Sequence, residues 1–109
     1  MRNHRLHILI GLLLLLGPLG CASSYRTYKQ AQVAEEQGDW DAAVLHYMEA
    51  LETDPSNVNY RTALLRSKIR ASQEHFTKEK RYQEADILEQ AFAEYQQAVL
   101  LDPANQYAQ

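Results

Sequence analysis

The chain has 109 residues, which leaves room for one small domain at most. Its single cysteine excludes an internal disulfide and a multi-cysteine zinc site, and three prolines with four glycines are too few for a turn-rich all-β fold. The formal net charge is −3, and a block of apolar residues stands near the amino terminus. These features favour a short helical chain that is exported or anchored.

The amino-terminal segment has the order of an export signal. Arg2 and Arg5 precede an apolar run over residues 6–16, and a Gly-Pro-Leu-Gly stretch then ends the run before Cys21. A helix that crosses a bilayer needs about 20 apolar residues, so this run is too short to span one. We therefore predict that residues 1–20 are a signal peptide.

The junction Leu19-Gly20-Cys21 resembles the lipobox of bacterial lipoproteins, in which the cysteine is acylated and becomes the first residue of the mature chain. Gly20 and Cys21 match that pattern, whereas Pro18 and Leu19 depart from it. The resemblance implies lipid attachment at Cys21 and, through Ala22, delivery to the outer membrane of a two-membrane bacterium, facing the periplasm. The alternative is cleavage after Ala22, which would remove the cysteine and leave a soluble periplasmic protein.

The rest of the chain contains an internal repeat with a period of 48 residues: residues 40–51 align without gaps with residues 88–99. Apolar residues in this block follow the spacing of a helix that buries one face. Gly38 suits the end of a preceding helix, Asp39 or Asp41 can cap the next, and Asp54-Pro55 stops it. We predict a helical hairpin, with one helix over about 25–37 and a second over about 41–53. Further recurring pairs are Tyr28 and Phe76, Asp54 and Asp102, Pro55 and Pro103, and Asn57 and Asn105.

This hairpin resembles the tetratricopeptide repeat (TPR), a helical hairpin of about 34 residues. The matching residues of the first unit are Gly38, Asp39, Trp40, Ala43, Tyr47, Ala50, Asp54 and Pro55. The resemblance implies repeats at residues 24–57 and 72–105, and in the second repeat Glu79 and Asp86 replace the usual small residue and glycine, which predicts a looser hairpin. It therefore implies an all-α fold, a short α-solenoid of two TPR hairpins.

Fourteen extra residues, 58–71, separate the two repeats. They turn an α-helix by about 1400°, within about 40° of four full turns, so the insertion preserves the facing of the second repeat. The segment lacks proline and glycine, and the apolar stripe formed by Leu65, Ile69, Phe76 and Tyr82 is expected to stay within one face. We predict one long helix from Asn59 to about Glu84, with residues 58–71 as a helical extension. Deleting the extension is expected to leave a folded helical protein.

Charge is distributed unevenly: residues 22–57 sum to −5, residues 61–81 to +5 and residues 82–109 to −5. The basic segment is either a solvated element between two acidic hairpins or a patch for an acidic partner or anionic lipid. Nucleic acid is not expected as a partner of an exported, net negative chain without a binding motif. The basic residues are Arg61, Arg66, Lys68, Arg70, Lys78, Lys80 and Arg81.

No catalytic, cofactor or metal constellation is predicted, because His46 and His75 stand alone and no phosphate loop or nucleophile elbow occurs. Each histidine is expected on a helix surface. The TPR resemblance instead implies a concave partner-binding face, on which Tyr28 and Phe76 are either anchors or pack between hairpins. Its residues would be Tyr25, Tyr28, Gln32, Glu35, Glu36, Gln73, Phe76, Lys80, Gln83 and Glu84.

The predicted function is a non-enzymatic interaction scaffold, lipid-anchored in the bacterial envelope, for a protein or peptide of an envelope complex. The pattern resembles the TPR-bearing amino-terminal region of secretin-type outer-membrane proteins, which implies a role in secretion or pilus assembly. The alternative is an accessory region of an exported enzyme whose catalytic domain lies beyond residue 109. Residues 106–109 would only begin a helix that covers the second hairpin, so we expect either a fragment of a longer protein or a core completed by self-association.

Overall fold

The computed structural model describes residues 19–105, and this part of the chain consists of α-helices joined by short turns. The predicted all-α class is confirmed. The helices are α1 (Leu19–Glu36), α2 (Trp40–Thr53), α3 (Val58–Glu84) and α4 (Leu88–Leu101). Residues 1–18 of the predicted signal peptide, and the predicted start of another helix at 106–109, lie outside the described residues. No helix between residues 19 and 105 is both long enough and apolar enough to cross a bilayer.

Helix α1 begins six residues before the predicted start near Tyr25. Two polar side chains in this early part are satisfied within the helix itself, since the hydroxyl of Ser24 donates to the Cys21 carbonyl and that of Thr27 to the Ser23 carbonyl, each at 3.1 Å. The periodic apolar pattern of the sequence starts later than the helix, so the pattern underestimates its length.

The turns after α1 and after α3 have the same hydrogen-bond pattern. Gly38, with a φ of 74°, donates its backbone N–H to the Glu35 carbonyl, and the next residue donates to the Ala34 carbonyl. Asp86, with a φ of 59°, donates in the same way to the Gln83 carbonyl, and Ile87 donates to the Tyr82 carbonyl. Both are Schellman turns, in which a left-handed residue ends the helix. The second turn therefore keeps this geometry without the glycine.

Side-chain caps fix the starts of α2 and α3. The carboxylate of Asp39 accepts from the backbone N–H of Ala42 at 3.0 Å, so Asp39 rather than Asp41 caps α2. Asn57 accepts from the backbone N–H of Tyr60 at 3.1 Å at the start of α3. Helix α3 then continues for 27 residues to Glu84 without a break, which confirms the predicted long helix. Its length is about 40 Å.

Helices that are consecutive in the chain pack against each other: α1 against α2, α2 against α3, and α3 against α4. The first packed unit, formed by α1, α2 and the first half of α3, has a core of small side chains around one large aromatic ring. Alanines where the helices meet let the helix axes approach closely, and the ring fills the remaining space. The core residues are Ala31, Ala34, Ala43, Tyr47 and Ala63.

Two different faces of α3 are buried. In its first half, the buried residues are Tyr60, Ala63, Ser67 and Ala71, and they serve the unit formed with α1 and α2. In its second half, the buried residues are Ser72, His75, Phe76 and Glu79, on the side that receives α4. The hydroxyl of Ser72, for example, donates to the Ala98 carbonyl at 2.8 Å. One helix therefore belongs to two packed units.

Candidate interaction surfaces

The two predicted aromatic anchors lie inside the packed units. Tyr28 is half-buried and stacks on Tyr60, with ring centroids 4.6 Å apart, while its other neighbour is the ring of Tyr47 at 5.6 Å. Phe76 is 6% exposed and contacts the ring of Tyr95 edge-on at 6.0 Å. Of the two roles that the sequence left open for these residues, the structure shows the packed one.

Glu35, another predicted partner-binding residue, is engaged within the chain. Its carboxylate accepts from the guanidinium of Arg66 at 2.9 and 3.1 Å and from the hydroxyl of Ser67 at 2.9 Å. The hydrogen bond to Arg66 raises the pKa of this guanidinium. The Glu35 side chain is only 17% exposed, and it ties α1 to α3. It is therefore a structural link in this conformation.

The hydroxyl of Tyr47 lies close to this ion pair, but no described residue forms a hydrogen bond with it. Burial raises the pKa of Tyr47 to about 12, and the negative charge of Glu35 adds to the shift. The phenol is thus a buried polar group held in its neutral form.

The remaining predicted residues are distributed over separate surfaces. Tyr25 is 54% exposed, with the ammonium of Lys29 5.5 Å from its ring centroid, and Gln32 donates to the hydroxyl of Tyr28 at 3.1 Å. Glu36 and Glu84 are exposed. Gln73 and Lys80 line one cavity of about 230 Å³ beside Phe76, and Gln83 lines a different one beside Leu88. Cys21 is exposed in the first turn of α1.

His75 is buried, so its predicted place on a helix surface is wrong. One ring nitrogen, Nε2, lies 3.1 Å from both carboxylate oxygens of Asp41 on α2, and the other, Nδ1, contacts the carboxylate of Glu94 on α4. His75 shares one face of α3 with Ser72 and Glu79, the face that receives α4, and this shared face was the signal that could have indicated its burial. His46 is half-buried and lies 3.8 Å from Glu49 in the same helix.

This histidine with its two carboxylates is not a metal site. The two ring nitrogens point away from each other, each to its own carboxylate, so the three side chains do not converge on one point. Between residues 19 and 105, no group of histidine, cysteine and acidic side chains has the arrangement that a metal ion needs. The arrangement instead joins α2, α3 and α4 by charge-assisted hydrogen bonds.

An exposed apolar surface runs along α4, and we call Leu88, Phe92 and Tyr95 the α4 apolar face. These side chains are 65%, 61% and 41% exposed, and with Gln83 they border a cleft of about 260 Å³. The residues at the corresponding positions of α2, 48 residues earlier, include Val44 and Tyr47, which are 5% and 0% exposed. Ala63 on the first half of α3 packs in the same core cluster as Tyr47, whereas the described residues leave Leu88, Phe92 and Tyr95 exposed.

The basic residues that the sequence grouped between Arg61 and Arg81 have different partners in the structure. Arg61 donates to the Pro55 carbonyl at 3.0 Å, and Arg66 pairs with Glu35. The guanidinium of Arg70 lies 5.8 Å from the ring centroid of Trp40. Lys80 lines the cavity beside Phe76. The seven basic residues therefore do not form one continuous surface.

Comparisons with known proteins do not assign the chain to a family. No family model, curated protein or solved structure gives a significant match. Its function must therefore be argued from its own surfaces.

Proposed function

We propose that this protein is a non-enzymatic interaction scaffold of the bacterial envelope, held at the membrane by a lipid on Cys21. Its partner docks a helix on the α4 apolar face. The observation that carries the proposal is the contrast between the two repeats, in which matching apolar positions are buried on α2 and exposed on α4. Exposed, contiguous apolar surface bordered by polar residues is typical of a protein–protein interface.

The way in which α3 covers α2 indicates what kind of segment fits α4. On α3, Ala63 packs in the same core cluster as Tyr47, and the fully buried Ser67 lies one turn further on, beside Glu35 of α1. Small side chains allow a helix to approach a neighbouring helix that carries a large aromatic ring. We therefore infer that the partner presents a helix with small residues three or four positions apart.

The repeat pattern itself supports the interaction role. The α1–α2 pair and the pairing of α3 with α4, the matched turns at Gly38 and Asp86, and the 48-residue period agree with two TPR-like hairpins joined through a long helix. Hairpins of this kind form elongated surfaces rather than enclosed catalytic pockets. The resemblance of the signal and repeats to the amino-terminal regions of secretin-type proteins supports a role in secretion or pilus assembly.

Site-specific photo-crosslinking tests the docking face. A photoreactive phenylalanine analogue is placed at Phe92 in the full chain, expressed in its native envelope, and the same analogue is placed at Gln97 as a matched control. Gln97 is also exposed on α4 but lies away from the apolar face. We expect one discrete protein adduct from position 92 and none from position 97. Equal labelling at both positions, or none at 92, would overturn the proposal.

The anchor is tested separately, by metabolic labelling with a palmitate analogue. We expect incorporation into the wild-type chain and none into Cys21→Ser. Equal incorporation would exclude lipidation at this cysteine without bearing on the docking face, so the two parts of the proposal fail independently.

A further inference from the structure

A second surface lies where the start of α2 meets the second half of α3. Trp40 forms one wall of this groove, and α3 supplies the other wall with Arg70, Glu74, Lys78 and Arg81. The groove is open to solvent and has a volume of about 390 Å³. Along α3 the lining extends over twelve residues, from Arg70 to Arg81, or about 16 Å. We call it the Trp40 groove.

The charges in this groove are not balanced by the chain. Among the described residues, no acidic side chain forms an ion pair with Arg70, Lys78 or Arg81, whereas Arg66, one turn before Arg70, is paired with Glu35. Glu74 is the single acidic residue of the lining. Three cations facing one cleft repel one another and raise the local concentration of anions.

The aromatic wall distinguishes the groove from a simple charged surface. The guanidinium of Arg70 lies over the half-buried ring of Trp40, at 5.8 Å from its centroid. This cation–π contact restrains a long side chain that would otherwise lose rotamer freedom on binding. Trp and Arg are also the residue types that contribute most at protein interfaces. The groove therefore combines restrained cations with an apolar wall.

We propose that the Trp40 groove binds an acidic peptide segment of a partner protein, with carboxylates at Arg70, Lys78 and Arg81 and an apolar side chain against Trp40. An extended peptide of about five residues matches a groove of this length. A flat anionic membrane is a poorer match, because the exposed carboxylates of Asp39 and Asp41 flank Trp40 and would meet the same lipid surface. A peptide seated in the groove meets its lining, in which Glu74 is the single acidic residue. This surface is distinct from the α4 apolar face.

Tryptophan fluorescence gives a direct test, because Trp40 is the only tryptophan in the chain. The probe is a capped synthetic peptide with three glutamates on each side of a leucine. We expect a saturable change in Trp40 emission that weakens as salt increases. The double variant Lys78→Gln/Arg81→Gln should bind at least ten-fold more weakly. Both side chains are exposed, so circular dichroism should show an unchanged fold.

The matched control is Arg61→Gln/Lys68→Gln, which removes the same charge from α3 outside the groove and should change the affinity less than two-fold. Equal weakening by both pairs would mean non-specific charge attraction and would overturn the proposal. So would the absence of any change in Trp40 emission. Binding of phosphatidylglycerol vesicles that depends on Lys78 and Arg81, without peptide binding, would assign the groove to a membrane surface instead.

Discussion

Tyr47 and Tyr95 occupy the same position in the two repeats, yet Tyr47 is completely buried and Tyr95 is 41% exposed. The difference comes from their neighbours. Tyr47 is enclosed between α1 and the first half of α3, whereas Tyr95 contacts Phe76 on one side and has no second helix over it among the described residues. Identical residues in a repeat therefore serve as core in one unit and as surface in the other.

Burial of Tyr47 predicts a stability change at high pH. The phenol of the unfolded chain loses its proton near its ordinary pKa of 10, whereas the folded chain holds it until about pH 12. The folded state therefore binds more protons between these values, and stability falls as pH rises from 10 to 12, by on the order of 2 kcal/mol. Below pH 10 this group contributes no pH dependence.

The measurement is urea unfolding of the wild type and of Tyr47→Phe over this pH range. The variant lacks the ionisable group, so its stability should exceed that of the wild type increasingly above pH 10. At neutral pH the hydroxyl has no partner, and its removal should be neutral or stabilising by up to about 1 kcal/mol. A constant difference between the two proteins from pH 9 to 12 would contradict the assignment.

The paired turns predict opposite effects of glycine exchange. Asp86 holds a left-handed conformation that costs less for glycine, so Asp86→Gly should raise the free energy of unfolding by about 0.5–1 kcal/mol. Gly38→Ala should lower it by about 1 kcal/mol. A Cβ at Gly38 meets no atom within 4 Å, so the cost there comes from the backbone alone. Thermal melts should move in opposite directions, and a shift in the same direction would contradict the shared turn geometry.

The contacts of His75 predict energetic coupling between helices. His75→Leu should cost about 1–3 kcal/mol, because two carboxylates lose their partner. Glu94→Gln should destabilise the wild type but have little effect once His75 is replaced, giving a coupling energy of about 1–2 kcal/mol in a double-mutant cycle. His46→Leu is the control for replacing a histidine and should stay within about 0.5 kcal/mol. Additive effects would show that the His75–Glu94 contact does not contribute.

The long helix predicts the outcome of deleting residues 58–71. Helical phase alone favours a folded product, but the deletion moves Glu74, Thr77 and Arg81 into the positions of Tyr60, Ala63 and Ser67. The charged Glu74 and Arg81 would then take the buried places of Tyr60, beside Tyr28, and of Ser67, beside Glu35, which is strongly destabilising. We expect circular dichroism to show retained helix but a broad thermal transition.

A rescue variant makes this prediction specific. The deletion combined with Glu74→Tyr, Thr77→Ala and Arg81→Ser restores the small and aromatic residues that pack against α1 and α2. It should regain a sharp transition. If the deletion alone already unfolds as sharply as the full chain, the burial argument is wrong.

The sequence pattern predicted the bounds of the helices better than the environments of the side chains on their surfaces. Periodicity, Gly38 and Asp54-Pro55 indicated α2 closely, and the absence of breakers indicated the continuous α3. The environments of Glu35 and His75 were not predicted, because their partners Arg66, Asp41 and Glu94 come from other helices and depend on how those helices pack. The exposure of Phe92 was indicated in part: the repeat pattern alone predicts the same burial as at Val44, but residues 106–109 were expected only to begin a helix that covers the second hairpin.

Helix α3 has a mechanical consequence. The Trp40 groove and α4 lie on opposite sides of its second half, while its first half is embedded in the amino-terminal unit. No loop interrupts the helix between these parts, so there is no hinge at which they can turn independently. A force applied to α4 would be transmitted through the continuous helix α3 to the end of the chain that carries Cys21, and the two parts of the molecule would move together.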